Sequence, residues 1–428
     1  MEIFVILLFT LTRILLGKRD GLIAAYIALT GSISPLLFFK EKLEISLAIP
    51  WWSNFDPLER LNTLPHYLIA QNFLLMCIIL FIYFIRSHKI RYAIFSALSI
   101  FIGGIFFPAV LAPIGAALSL TIIFLTIREY VIKRKITINK LFFIGCSIII
   151  LSALFSLLII KIQEHQGFPW NIWTSWNVAR WNYSESTFNY NLFFIFGVLP
   201  INALPSIIKN LRSGNIENIF ITIWFLFPFI LLPFVNILQI PKLRLVEDAH
   251  FIPIAILASQ TISVIISKFN SKITLIGLFV LYSILTFPVI VTMFKWRMSF
   301  VTNNFPPGVY YSSKNELSGL DYIKNAVPKN SVFLTLTAHI IPAYSPVISY
   351  WGHLNLTNNF TDKETNLKLF FGNQMNDRQV KEFLIQNSID YIYVGPEEKK
   401  LSPKPISYDF LIPVYGNNDV TIYKFGQK

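Results

Sequence analysis

Five stretches of this chain, Leu22 to Phe39, Tyr67 to Ile85, Leu141 to Ile160, Asn218 to Leu238 and Ile273 to Phe294, contain no charged residue. Each is long enough to cross ~30 Å of hydrocarbon as a helix, and only helices or closed barrels satisfy their backbone groups inside lipid. The composition agrees: 54% of the 428 residues are hydrophobic, 14% are charged and the mean hydropathy is +0.57, the balance of a polytopic membrane protein. A soluble globule is excluded.

Shorter or interrupted apolar runs at Ile3 to Leu16, Tyr92 to Phe107, Pro108 to Ile127, Leu192 to Ile208 and Phe251 to Ser267 extend the expectation to about ten transmembrane helices. Basic residues sort the connections between them. Lys18/Arg19, Arg86/Lys89/Arg91, Arg128/Lys133/Arg134/Lys135/Lys140, Lys209/Arg212 and Lys268/Lys272 all fall on one side, which the positive-inside rule assigns to the cytoplasm of a plasma-membrane protein. Glu41, Glu44, Asp56, Glu59, Glu164, Glu185, Glu247 and Asp248 fall on the other side, whereas the basic side holds only Asp20, Glu129 and Glu217. Carboxylates therefore gather on the outer face.

The net charge of +13 does not point to a nucleic acid, because the largest basic group sits in a short connection between spans, where orientation accounts for it. Cys77 and Cys146 lie within apolar spans and imply no disulfide framework. The first apolar segment has neither a basic leader nor a small-residue cleavage site, so it reads as a span and not as a signal peptide. The same arithmetic puts Met1 outside, which fits loss of a preceding helix and its outer loop.

Residues 1–295 read as the transmembrane body and 296–428 as an extracytoplasmic α/β domain, with the composition changing after Lys295-Trp296-Arg297. In the polar part the patterns predict helices over Glu316 to Ala326 and Asp377 to Asn387 and strands over Ser331 to Thr337 and Asp390 to Val394. A hairpin is predicted for Phe410 to Tyr415 with Val420 to Phe425 around Gly416-Asn417-Asn418-Asp419. Gly352-His353 and Gly395-Pro396-Glu397-Glu398 follow predicted strands, where loops of α/β domains tend to carry ligand contacts, although turn chemistry explains Gly-Pro as well. His339 and His353 are read as structural.

Three constellations could carry chemistry. In the first outer loop, Asp56, Glu59, Arg60 and His66 precede the span from Tyr67; Asp56-Pro57 begins like a capped helix, giving a carboxylate base beside an arginine and an imidazole able to hold phosphate oxygens. A solvated loop whose Asp56 merely caps a helix is the competing reading. In the second, Lys242, Arg244, Glu247, Asp248 and His250 lie at the mouth of the span from Phe251 and can grip a lipid-linked phosphate or bind a divalent metal. Arg244 is the preferred phosphate ligand because its planar fork matches phosphate oxygens. An interfacial loop with mutual ion pairing is the bland alternative, and the spacing lacks a metal motif's i, i+4 His pair. Third, Trp170, Trp173, Trp176 and Trp181 form either an interfacial aromatic belt or a platform for a sugar ring or isoprenoid tail, Trp173 being the candidate substrate contact.

With these residues assembled, the chain resembles uncharacterised bacterial multi-pass membrane proteins similar to the GT-C superfamily of polyprenyl-phosphate-sugar-dependent glycosyltransferases. The resemblance rests on the order of Arg60 to Tyr67 (RLNTLPHY), Gly103-Gly104 with Phe107-Pro108, IPKLRLVED with the following Pro253-Ile254-Ala255-Ile256-Leu257-Ala258, IPAYSPVISYWGH and DYIYVGPEE. It implies a GT-C-like fold and transfer of a sugar, on the outer face of the membrane, from a polyprenyl-phosphate donor to a glycan, lipid or protein acceptor. By the same resemblance, Arg244 and Lys242 would serve the lipid phosphate, and Asp56 or Glu59 the acceptor hydroxyl or a divalent metal.

The chain departs from the superfamily pattern at its start. There the catalytic acid follows the first span, whereas here that span runs inward to Gly17-Lys18-Arg19-Asp20-Gly21. The expectation is an N-terminally truncated protein, a non-catalytic relative, or an enzyme whose acid has moved to Asp56 or Glu59. A lipid or glycan transporter or flippase and a non-catalytic scaffold for cell-envelope assembly are the rival readings, the first weakened by the lack of an inverted pair of Gly/Pro-broken spans.

Overall fold

The structure is a computed structural model that describes residues 2–30, 65–135, 139–168, 170–171, 199–234, 251–268, 272–277, 279–281, 283–284, 312–353, 357–401 and 405–426. The chain forms two compact units, the helices before Lys272 belonging to the first and the elements from Lys314 onward to the second.

The first unit is helical: α1 (Glu2–Leu16), α2 (Lys18–Thr30), α3 (Pro65–Ser87), α4 (Ile90–Phe106), α5 (Leu111–Lys133, entered through a 3-10 turn at Pro108–Val110), α6 (Lys140–Glu164), α7 (Leu199–Ser213), α8 (Ile216–Leu231) and α9 (Phe251–Lys268). Among the described residues four segments are long and apolar enough to cross a membrane: His66–Ser87, Pro108–Lys133, Lys140–Glu164 and Phe251–Lys268. Helices α4 and α8 are apolar but shorter. Phe107 ends α4 in an extended conformation and Pro108 then supplies the first residue of the next turn, so the expected spans from Tyr92 and from Pro108 are separate elements.

Helix α1 and helix α2 meet across a single residue. Gly17 has φ +84, a conformation open to glycine and costly for other residues, and helix resumes at Lys18. The expected polar turn at Gly17 to Gly21 is thus reduced to one residue. Gly21 lets the two backbones touch: a Cβ there would lie 2.8 Å from both Cα and N of Arg13.

Helix α9 sits at the centre. Its residues from Phe251 to Ser259 are all buried, the all-round apolarity of a helix enclosed by others. Helix α6 is the opposite case, exposing Leu151 (63%), Phe155 (56%) and Leu158 (53%) along one side. A contiguous apolar face of this kind is suited to lipid.

In the second unit α10 (Lys314–Ala326) starts from a capping box, Ser313 Oγ accepting from Glu316 N and Glu316 Oε2 from Ser313 N. There follow β1 (Val332–Leu334), α11 (Ile340–Tyr344), β2 (Ile348–Ser349), α12 (Phe360–Phe371), α13 (Asp377–Gln386), β3 (Tyr391–Val394), α14 (Pro396–Leu401), β4 (Leu411–Gly416) and β5 (Thr421–Phe425). The sheet order is β2-β1-β3-β5-β4. Strands β2, β1 and β3 are parallel, and the β4–β5 hairpin adds antiparallel to β3. Buried on every residue, β3 reads as the continuous apolar run Tyr-Ile-Tyr-Val expected of a central strand. Pro413 is confined to the edge strand β4, beside a register shift.

The strand predicted over Ser331 to Thr337 is three residues long, because the chain beyond Leu334 turns to bond a side chain instead of a neighbouring strand. The loop expected at Gly395-Pro396-Glu397-Glu398 is a helix from Pro396, with Glu398 wholly buried.

Candidate functional site

One end of the helical unit is tied by charged side chains. Arg86, near the end of α3, holds Glu217 of α8 through two contacts of 2.7 Å and donates to the carbonyl of Ile14 in α1 at 3.0 Å. Arg128 of α5 donates to the carbonyl of Arg212 at the end of α7 (3.0 Å), a cation on the negative pole of a helix. Arg19 and Asp20, opening α2, both bond Ser263 in the latter part of α9. All three acids on the basic side are paired: Asp20 with Arg19, Glu129 with Lys133 and Glu217 with Arg86.

These contacts fix the direction of each helix. The ends of α1, α3, α5, α7 and α9 and the beginnings of α2 and α8 lie at the tied end, so α3 and α9 run parallel and both start at the other. The chain therefore leaves α2, α6 and α8 towards that other end and returns from it into α3, α7 and α9. The three stretches 31–64, 172–198 and 235–250 make those returns. They contain Asp56, Glu59, Arg60, Trp173, Lys242, Arg244, Glu247, Asp248 and His250, all of which lie outside the described residues.

His66 is the one expected site residue that is described. It is exposed on the first turn of α3, its ring 4.4 Å from Tyr67 and 6.2 Å from Phe107, with Tyr67 and Phe107 4.1 Å apart. Gly103 makes this cluster possible by bringing α4 against α3, where a Cβ would meet Phe73 at 3.0 Å and the Ala70 carbonyl at 3.3 Å. A Cβ on Gly104 would lie 2.5 Å from Leu111 and from Ser156. Gly103-Gly104 and Phe107-Pro108 are thus packing residues that shape the end where His66 sits. One turn below, Gln71 is buried and Asn72 Oδ1 is buried without a hydrogen-bond partner among the described residues, polar groups in a segment otherwise fit for lipid. The Trp170 side chain is exposed. Among the described residues no group of three or more His, Cys, Asp or Glu side chains comes together as a metal site.

The chain leaves β1 towards β2 on one side and leaves β3 towards the hairpin on the other, so the carboxyl ends of β1 and β3 mark a topological switch point. Glu398 occupies it. Its Oε1 accepts from Thr335 Oγ1 (2.8 Å), Leu336 N (2.6 Å), Thr337 N (3.3 Å) and Thr337 Oγ1 (3.5 Å), and its Oε2 accepts from Gly395 N (2.9 Å). Burial pushes its pKa above the ordinary carboxylate value, opposed by the bonds from Thr335, Leu336 and Gly395. From sequence, Gly395-Pro396-Glu397-Glu398 reads either as a loop with ligand contacts or as an ordinary turn; a signal for the true place of Glu398 is the run Thr335-Leu336-Thr337, whose hydroxyls and N–H groups need an acceptor.

The class defined so far is a helical membrane protein carrying a small mixed α/β sheet. No protein-family model matches the chain, and no curated protein matches it. Among solved structures it is similar to the Archaeoglobus fulgidus oligosaccharyltransferase in complex with zinc and sulfate, with a TM-score of 0.45 and 13% identity over 91% of this chain and 54% of that one. It is also similar to the archaeal oligosaccharyltransferase AglB from Archaeoglobus fulgidus in complex with an inhibitory peptide and a dolichol-phosphate, with a TM-score of 0.44 and 12% identity over 92% of this chain and 57% of that one. The chain spans little more than half the length of these proteins.

Proposed function

We propose that the protein is a GT-C-like membrane glycosyltransferase that moves a sugar from a polyprenyl-phosphate donor to a glycan, lipid or protein acceptor outside the cytoplasm. The observation that carries this reading is the parallel course of α3 and α9. The segment with Asp56, Glu59 and Arg60 leads into α3, and the segment with Lys242 and Arg244 leads into α9, so both approach the bundle from one end. The start of α9 also presents a positive helix pole, which favours a phosphate beside Arg244 and Lys242.

In the proposed reaction Asp56 or Glu59 takes the proton of the acceptor hydroxyl as that oxygen attacks the anomeric carbon. Arg244 and Lys242 stabilise the lipid phosphate as its bond to the sugar breaks. His66 and Arg60 contribute donors to phosphate oxygens, Glu247, Asp248 and His250 flank the phosphate site, and Trp173 offers a face to the sugar or the lipid tail. The carboxylates of Asp56, Glu59, Glu247 and Asp248 are the groups whose oxygen donors suit a divalent cation. The basic, tied end faces the cytoplasm, and residues 296–428 form the extracytoplasmic domain.

The test is transfer from a polyprenyl-phosphate sugar in membranes carrying Arg244→Ala or Asp56→Asn. Loss in Arg244→Ala with the protein still folded supports the reading. Parental activity in both variants removes the site assignment.

A further inference from the structure

We propose that His339 and His353 form a two-histidine site for a borderline divalent transition-metal ion of the zinc or copper type. The sheet imposes their meeting. Strands β1 and β2 are parallel neighbours in the register Val332 to Ile348 and Phe333 to Ser349, and the two histidines follow the carboxyl ends of these strands. Both backbones are held: Ile340 N bonds the carbonyl of Thr337 at 3.2 Å, and Thr357 N bonds the carbonyl of His353 at 3.0 Å.

The ring centres are 5.9 Å apart and the planes are inclined at 63°. Two imidazoles bound to one ion through nitrogens at about 2.0 Å hold their ring centres roughly 5 to 6.5 Å apart, depending on the angle at the metal. The observed separation falls inside that window without movement of either strand. Both side chains are exposed, so water can complete the coordination sphere. Glu398, at the same carboxyl end of the sheet, is committed to its five donors, and among the described residues no third His, Cys, Asp or Glu joins the pair. Nitrogen donors select zinc, copper or nickel over magnesium or calcium.

The experiment is a Cu2+ titration of the purified full chain read by electron paramagnetic resonance, with a chelator as competitor. The expected result is one ion per chain with nitrogen hyperfine structure, and affinity lowered at least tenfold by His339→Ala and by His353→Ala alike. A second measurement on the parent protein needs no variant: saturating Zn2+ should slow carbethoxylation of both rings together, read by mass spectrometry. Unchanged Cu2+ affinity in both variants, a loss confined to one of them, or undiminished modification of either ring under Zn2+ overturns the proposal.

Discussion

Arg86 and Glu217, 131 residues apart in sequence, meet as a two-pronged ion pair in which Nε faces Oε1 and Nη2 faces Oε2, both at 2.7 Å. The pair joins the end of α3 to the beginning of α8, and the spare donation to Ile14 brings in α1. Glu217 is the more enclosed partner, with 13% of its side chain exposed against 45% for Arg86. Removing the arginine should therefore cost more than neutralising the acid, because it leaves a largely enclosed carboxylate without its cation. Arg86→Ala is expected to lower stability by about 1 to 3 kcal/mol and Glu217→Gln by less. A double-mutant cycle on thermal unfolding in detergent checks the order and the coupling.

The contact of α1 with α2 gives a second expectation. A methyl group at Gly21 would collide with the backbone of Arg13, which cannot move aside as a side-chain tip can, whereas one at Gly115 meets nothing within 4 Å. Gly21→Ala should cost about 1 to 3 kcal/mol, while Gly115→Ala in mid-helix should be neutral or gain a few tenths through lower backbone entropy in the unfolded chain. Comparing the two unfolding midpoints decides the matter.

Helix directions make sidedness measurable. Cys77 and Cys146 are both buried and should be silent to thiol reagents. In intact cells a membrane-impermeant maleimide should label Gln166→Cys, beyond the end of α6, and should reach Lys135→Cys, just before α6, only after permeabilisation. The reverse pattern would turn the proposed orientation over.

Glu398 predicts a pH dependence with a definite sign. Its folded pKa lies above that of an ordinary glutamate, so between the two values the native state binds more protons than the unfolded one. The associated stability is present below the unfolded value of about 4.5 and is lost as pH rises through the folded one. Glu398→Gln should remove this slope while lowering stability at every pH, since an amide cannot accept from all five donors. Chemical denaturation of both proteins between pH 4 and 8 shows whether the slope depends on the residue.

How much of this was legible beforehand follows from physical reach. Apolar length and charge sorting are local signals, so the spans at Tyr67 to Ile85 and Leu141 to Ile160 coincide with α3 and α6. The Ser313 and Asn376 capping boxes and the Asn417 turn mark their elements by short-range chemistry, and α10, α13 and the β4–β5 hairpin fall within a residue or two of expectation. What escaped depends on partners far away in the chain. The two-residue strand β2 exists only because β1 lies beside it, and helix α14 is turned so that Glu398 can meet Thr335, 63 positions away. Of the expected site, His66 alone lies among the described residues, and its neighbours Tyr67 and Phe107 come together through the close approach at Gly103, which no spacing rule announces.

The carboxylate seated between β1 and β3 sets a rule for anyone seeking inhibitors of this protein. A free acid arriving at the carboxyl ends of these strands must displace a tethered competitor whose effective concentration is on the order of millimolar or higher. Screening there would reward molecules that unseat helix α14 and not those that simply mimic an anion.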